Sequence, residues 1–245
     1  MNESREQLLQ ILAEKSFRLG EFKLASGLTS DYYIDCRATT LDAEGCRLTG
    51  RVIFDEIAER GWRPKAIGGL TLGADPIVAS VAVLSAQRLR GRGADVGSLQ
   101  GARDYIHGFL VRKEEKAHGT GQRIEGFREK GAPVIIVDDV CTTGASTLQA
   151  IEAAKQAGFE IIAVMCLVER EDAQHEGMTG RARVEKAAAP APFVAIFTAA
   201  QIREEHLRQG RHEDDPLFAV RAKCEMCDRP AVTNSPSFRC EAHKS

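Results

Sequence analysis

Apolar residues in this chain come in short blocks, and most blocks are followed by small or acidic residues and then by a helical pattern. Val134 to Val137, after Gly131 and Pro133, reads as a parallel strand covered on both faces. Asp138 and Asp139 stand where that strand is expected to end, and Leu148, Ile151 and Ala154 carry a helix on toward Gly158. The same figure recurs in Ala66 to Ile77, where Pro76 falls in the first helical turn and its missing N–H costs nothing. Ile106 to Val111, Gly158 to Val168 and Pro190 to Thr198 read as further strands, the last leading into a helix over Ala199 to Arg208. Ahead of these, Ser4-x-x-Gln7 resembles a capping box, and Leu8, Ile11, Leu12 and Phe17 form one stripe of a helix closed near Gly20. Glu21 to Arg37 alternates about a Ser26-Gly27 turn and predicts a hairpin. Leu48, Val52, Ile53 and Ile57 share one face of a helix from about Asp42 to Arg60, ended by Gly61. Strands alternating with helices predict an α/β fold: a parallel sheet flanked by helices, with ligands at the strand C-ends.

Composition narrows this to one sizeable core. At 245 residues and 43% hydrophobic, a single α/β domain with appendages fits better than two domains. The net charge of −2 calls for no nucleic acid as a bulk partner. No apolar run reaches the length of a membrane span and Met1 to Glu6 lacks a signal-peptide layout, so no membrane partner and a cytoplasmic location are expected. Cys36, Cys46, Cys141 and Cys166 are scattered, and the odd total of seven argues against a disulfide scaffold. The Gly-rich stretch between Leu89 and Tyr105 reads as a surface insertion.

The loop after Val137 concentrates the chemistry. Thr142, Thr143, Gly144 and Ser146 precede a helix, so backbone N–H groups and hydroxyls converge with the positive end of the helix dipole behind them, an arrangement suited to a phosphate monoester. It is not a Walker loop, because no Lys follows Gly144. Two acids beside an anion site must face something else, such as ribose hydroxyls or a hydrated metal ion; the plain alternative is that they only cap the helix. The small-residue loop over Ile67 to Asp75 suggests a second anion subsite. Arg112 to Gly126 is charged, carries Gly119 and Gly121 and lacks apolar periodicity, which predicts a mobile lid or, more simply, a solvated surface.

A hydrophobic run, Asp138-Asp139 and Thr142-Thr143-Gly144 together are similar to the phosphoribosyl pyrophosphate (PRPP) motif of type I phosphoribosyltransferases. Phe22-x-Leu24-x-Ser26-Gly27, the Tyr32-Tyr33 pair, Asp35-x-Arg37 and Arg112-Lys113-Glu114-x-Lys116-x-His118-Gly119 resemble the orotate phosphoribosyltransferases within that family. The resemblance covers residues 1–205 and implies the type I fold with an N-terminal hood over about 1–40 and a core over about 41–205. It implies that the loop over Val140, Cys141, Thr142, Thr143, Gly144, Ala145 and Ser146 holds the 5′-phosphate and that Asp138 and Asp139 hold the ribose. Thr71, Leu72 and Gly73 would cradle pyrophosphate, gripped also by Arg112, Lys113, Lys116 and His118, with Lys116 the leading catalytic candidate. Orotate would meet Arg170, Thr142, Tyr32 and Tyr33, although strand filling explains the tyrosines equally well and a surface ion pair is the bland reading of Arg170. Mg²⁺ as cofactor and a homodimer sharing its lids are implied as well. Two departures stand out: family lysines are replaced by Ala25 and Leu72, although some members carry Leu-Thr-x-Gly-Ala-Asp-Pro much as here. Transfer to another base stays open on that ground; a non-catalytic PRPP-sensing role is the other alternative, against which Lys116 and His118 argue.

Residues 206–222 read as a helix end and linker, and the resemblance stops before the tail over 223–245. There Cys224-x-x-Cys227 and Cys240-x-x-His243 form two ligand pairs with the layout of a zinc knuckle, a structural Zn²⁺ site with no open position. A disordered tail with three free thiols and a redox pair at Cys224 and Cys227 are the alternatives.

Overall fold

The computed structural model describes residues 2–23, 29–91, 105–113, 123–171, 174–175 and 177–210. Ala25, most of the Gly-rich insertion, Lys116, His118 and the zinc candidates Cys224, Cys227, Cys240 and His243 lie outside the described residues. Among the described residues no helix is long and apolar enough to cross a membrane.

Six strands form the central sheet: β3 (Ala66–Leu70), β4 (His107–Val111), β5 (Ile124–Gly126), β6 (Pro133–Cys141), β7 (Glu160–Glu169) and β10 (Phe193–Thr198). Their order is β10-β7-β6-β3-β4-β5, all parallel except β5, which returns antiparallel to β4. Strict alternation along β6 explains the β-branched run. Ile135 and Val137 enter the core beneath α1 (Glu3–Ile11), α3 (Ala43–Glu59), α4 (Ala74–Gly91) and α7 (Ala199–Arg208). Val134 and Ile136 enter the opposite core with α5 (Ala145–Gln156) and α6 (Gly180–Ala188). Each such fully buried side chain contributes roughly 1.5–3 kcal/mol relative to exposure, so a charge at any of the four would be expelled or would disrupt the layer. Helices on both faces of a mostly parallel sheet are the architecture expected from the pattern.

The N-terminal hairpin pairs β1 (Phe17–Lys23) with β2 (Thr29–Ile34), and the four-residue helix α2 (Arg37–Thr40) leads from it into α3. The first helix differs from expectation at both ends. Asn2, not Ser4, is its cap, accepting from the Arg5 N–H at 2.9 Å. The helix ends at Ile11 and loosens into a π-type turn over Leu12–Ser16. Phe17 then begins β1, because its ring is better satisfied stacked on Tyr32, centroids 5.4 Å apart, than on a continued helical stripe. Further along, β6 does not stop before the acids but runs through Asp138 and Asp139 to Cys141, and β5 occupies the end of the span expected to be lid. The hairpin of β8 (Gln174–His175) and β9 (Met178–Thr179) and the helix α6 were not anticipated.

Candidate active site

Two strand-to-helix turns, β6–α5 and β3–α4, open side by side at the C-terminal edge of the sheet, and the hairpin leans over them. A cleft of about 620 Å³ lies between, lined by residues of all three.

At the β6–α5 turn, alternation along the strand separates the acids. Asp138 is 4% exposed: its Oδ2 accepts from Thr147 Oγ1 at 2.7 Å and its Oδ1 from the Asp139 N–H at 3.0 Å. Burial pushes the Asp138 carboxyl up to about 7, and the neighbouring Asp139 charge adds to the rise. Asp139 is half-buried, accepts from the Val140 N–H at 2.9 Å and lines the cleft. Gly144 begins the helix at φ +76°, where a side chain would be strained, and no side chain caps the first amides of α5. Thr142, Thr143 and Ser146 line the cleft together with Val140. Cys141 turns into the core, where burial pushes its thiol to about 12, so it offers the site only backbone.

The unanticipated α6 braces this turn from behind. A Cβ on Gly180 would stand 2.3 Å from the Thr142 carbonyl oxygen, so the helix start lies flush against the loop. Arg183 Nη1 donates to the Thr143 carbonyl at 2.5 Å. The Thr143 carbonyl is thus bonded from α6, and the Thr142 carbonyl lies close against its first residue.

The β3–α4 turn is built differently. A Cβ on Gly69 would meet the Val137 carbonyl oxygen at 2.0 Å, and one on Gly73 would meet Asp139 Oδ1 at 2.3 Å, so glycine lets this turn press against β6 and its acid. Thr71 Oγ1 donates to Asp75 Oδ2 at 2.7 Å, and the Thr71–Leu72 peptide is cis. Leu72 is 67% exposed beside the cleft, an apolar side chain where a cation would suit an anion site.

On the hairpin side the two tyrosines part company, as alternation requires. Tyr33 lines the cleft at 42% exposure, whereas Tyr32 is buried against Phe17. Arg170, 6% exposed yet lining the cleft, lies with its guanidinium carbon 4.3 Å from the Tyr32 ring centroid. Its Nε donates to the Tyr32 hydroxyl at 3.0 Å and its Nη2 to Ser30 Oγ at 3.1 Å. Tyr32 therefore positions Arg170 rather than facing the cleft. The preceding Glu169 is held by Arg181, Nε to Oε1 at 2.9 Å with a second bond from Nη2 to Oε2, which commits that acid elsewhere. Of the lid cations, Lys113 lines the cleft, while Arg112 pairs with Glu125 at 3.6 Å. Thr147, Ser30, Arg181 and Arg183 act on the site through other residues; of these only Ser30, the serine ahead of the tyrosine pair in the hood pattern, is marked by a motif in the sequence. Asp35 and Arg37, quoted only as part of the hood pattern, also line the cleft.

No family model matches the chain. Its sequence is 43% identical over 170 residues to an orotate phosphoribosyltransferase of Streptomyces coelicolor, covering 69% of this chain and 85% of that relative. It is 36% identical over 201 residues to the orotate phosphoribosyltransferase of Aquifex aeolicus, covering 81% and 97%. Among solved structures, the Mycobacterium tuberculosis orotate phosphoribosyltransferase in complex with PRPP superposes with a TM-score of 0.59 at 27% identity, covering 81% of this chain and 98% of that one.

Proposed function

From the premise that this chain belongs to the orotate phosphoribosyltransferase family, we infer that it transfers the phosphoribosyl group of PRPP to orotate, giving orotidine 5′-monophosphate and pyrophosphate for UMP synthesis. The observation that carries this reading from family to site is the convergence of the braced β6–α5 turn, the paired acids and the buried, ring-stacked Arg170 on one cleft.

Thr142 to Ser146 would take the 5′-phosphate on open amides and hydroxyls at the start of α5. Asp139, aimed into the cleft, would accept from a ribose hydroxyl, with Asp138 fixing the strand behind it. Arg170 would face the orotate carboxylate with its fork pre-oriented by Tyr32 and Ser30, Thr142 would add a hydrogen bond to the base, and Tyr33 would flank it. The ring nitrogen of orotate, already deprotonated, attacks C1′ as the C1′–O bond to pyrophosphate breaks. Negative charge then grows on the departing oxygen, which Lys113 and, from the sequence pattern, Arg112, Lys116 and His118 would stabilise.

Mg²⁺ fits the donor set. Asp139, half-buried and lining the cleft, offers hard carboxylate oxygens, and an ion carried largely by substrate phosphates needs only one or two carboxylates. When bound, it would neutralise charge between the pyrophosphate and ribose oxygens. No group of three or more potential metal-ligating side chains occurs among the described residues. The tail pairs Cys224, Cys227, Cys240 and His243 remain, on spacing alone, our proposal for a structural Zn²⁺. Metal analysis of untagged protein should find about one zinc per chain; a value near zero under reducing conditions would remove that proposal. We also propose a cytoplasmic homodimer with shared lids.

Purified protein supplied with PRPP, Mg²⁺ and a panel of bases tests the assignment. Orotate should be turned over fastest; faster turnover of adenine, hypoxanthine or uracil would reassign the base.

A further inference from the structure

Given the pyrophosphate-releasing reaction proposed above, cations must meet the polyanion beside the β3–α4 turn, yet that turn presents the exposed Leu72. The nearest described elements supply two candidates from other parts of the chain, Lys113 and Arg37, both lining the cleft. Arg37 is the more constrained. Its Nε and Nη2 donate to the two oxygens of Asp35, each at 2.8 Å, and its backbone N–H donates to Asp35 Oδ1 at 3.1 Å. That fork holds the guanidinium by one edge, and Nη1 has no partner among the described residues. The Asp139 carboxylate lies within electrostatic reach of Arg37 and also lies against Gly73 of the pyrophosphate-side turn. So the free edge of Arg37 stands at the junction of the hairpin, the acids and the turn that lacks a cation.

The other arginine–carboxylate pairs nearby do not share this placement. Arg47–Glu44 and Arg51–Asp55 are spaced along α3 and are absent from the cleft lining, whereas the Asp35–Arg37 pair opens onto the cleft itself. A surface pair kept only for stability has no reason to face a substrate cavity, since exposed pairs contribute little. A guanidinium anchored on one edge and free on the other matches the demand of a phosphate-rich leaving group for a pre-organised donor.

We propose that Arg37, oriented by Asp35, binds the pyrophosphate end of PRPP and offsets the absence of a lysine at position 72. Asp35 is the positioning residue of the pair. Its own charge is spent on Arg37, whose bonds hold the Asp35 carboxyl below the usual carboxylate range.

The test combines steady-state kinetics with calorimetric binding of inorganic pyrophosphate in the presence of Mg²⁺, which reads the subsite without turnover or base. Arg37→Gln should raise the KM for PRPP and the dissociation constant of pyrophosphate each by about tenfold, the loss of one charged hydrogen-bonding partner. The KM for orotate at saturating PRPP should stay within about twofold, and Arg37→Lys should recover part of the loss. Arg47→Gln, which breaks a comparable pair away from the cleft, should leave all three constants unchanged. Unchanged pyrophosphate affinity in a folded Arg37→Gln protein, or equal losses for PRPP and orotate, would overturn the proposal. If Arg37→Gln does not fold, a partial loss of pyrophosphate affinity in Arg37→Lys without any change in orotate KM supports it, and unchanged affinity or equal damage to both substrates overturns it. Wild-type protein that binds pyrophosphate but prefers another base would sink the orotate assignment while leaving Arg37's role standing.

Discussion

The two turns that frame the cleft share one local plan of strand, small residues and helix, yet they are finished in opposite ways. The β6–α5 turn carries its own chemistry and is braced: Thr147 ties Asp138, Arg183 holds the Thr143 carbonyl, Gly180 lets α6 pack flush against the loop, and Gly144 supplies the left-handed start of the helix. The β3–α4 turn carries no cation and ends in an exposed leucine, with glycines that let it approach β6. The difference matches two chemical tasks. A 5′-phosphate stays attached through the reaction, so a rigid anion seat serves it throughout; a leaving pyrophosphate must be gripped and released, which suits charges brought from other segments.

The largest effect should come from removing one of those borrowed charges. Lys116→Ala should lower kcat by at least about a hundredfold, since one charge contact at a leaving group is worth roughly 3 kcal/mol. Near-normal turnover in that variant would return the Lys-Glu-Glu-Lys stretch to solvated surface and leave the β3–α4 turn without its main source of charge. The proposed reader of the orotate carboxylate lies outside both turns, with Thr142 adding one hydrogen bond to the base, so Arg170→Ala should act separately: kcat/KM for orotate falls about thirtyfold, roughly 2 kcal/mol of a charged pairing, with PRPP affinity nearly intact. A smaller loss is expected from Gly73→Ala. The added methyl would displace the Asp139 carboxylate now 2.3 Å from its position, so turnover should drop by an amount on the order of tenfold with thermal stability little changed. Full activity there would mean that the two turns are not coupled through Asp139.

The smallest effect is one of stability. The Asp138 carboxyl is raised in the folded protein to about 7, above its unfolded value of about 3.9. Its neutral form therefore favours the fold below pH ~4, and that contribution is lost as pH rises toward 7. Asp138→Asn mimics the neutral form, so its melting temperature should match the parent's in acid and exceed it by a few degrees at pH ~8, even as activity falls. A variant less stable than the parent at pH ~8 would show that the buried charge is better accommodated than its burial implies.

What could be read in the sequence was local. Val134 to Ser146 shows strand, acids, loop and helix within thirteen consecutive positions, because each step is governed by neighbours in the chain. Even there the strand's extent was understated: pairing with β7, which holds Cys141 opposite Glu169, carries β6 past the acids. The helix α6 was hidden because its buried face consists of Gly180, Val184 and Ala188, too small and sparse to make a visible stripe. Long-range partners were likewise invisible. Arg170 and Tyr32 stand 138 positions apart, and only the fold reveals that one orients the other. The alternation of Tyr32 and Tyr33 was in plain view, but which ring faces the cleft depends on the register with β1, where Tyr32 pairs with Leu19 and Tyr33 with Arg18.

The division of labour between the turns is tested most directly by an experimental structure of the protein with PRPP and Mg²⁺. The account predicts the 5′-phosphate on the amides of Thr142 to Ser146, the ribose hydroxyls at Asp139, and the pyrophosphate along Thr71 to Gly73 within hydrogen-bonding distance of Arg37. PRPP bound in the reverse sense, with pyrophosphate on the β6–α5 turn and Arg37 turned away, would contradict it.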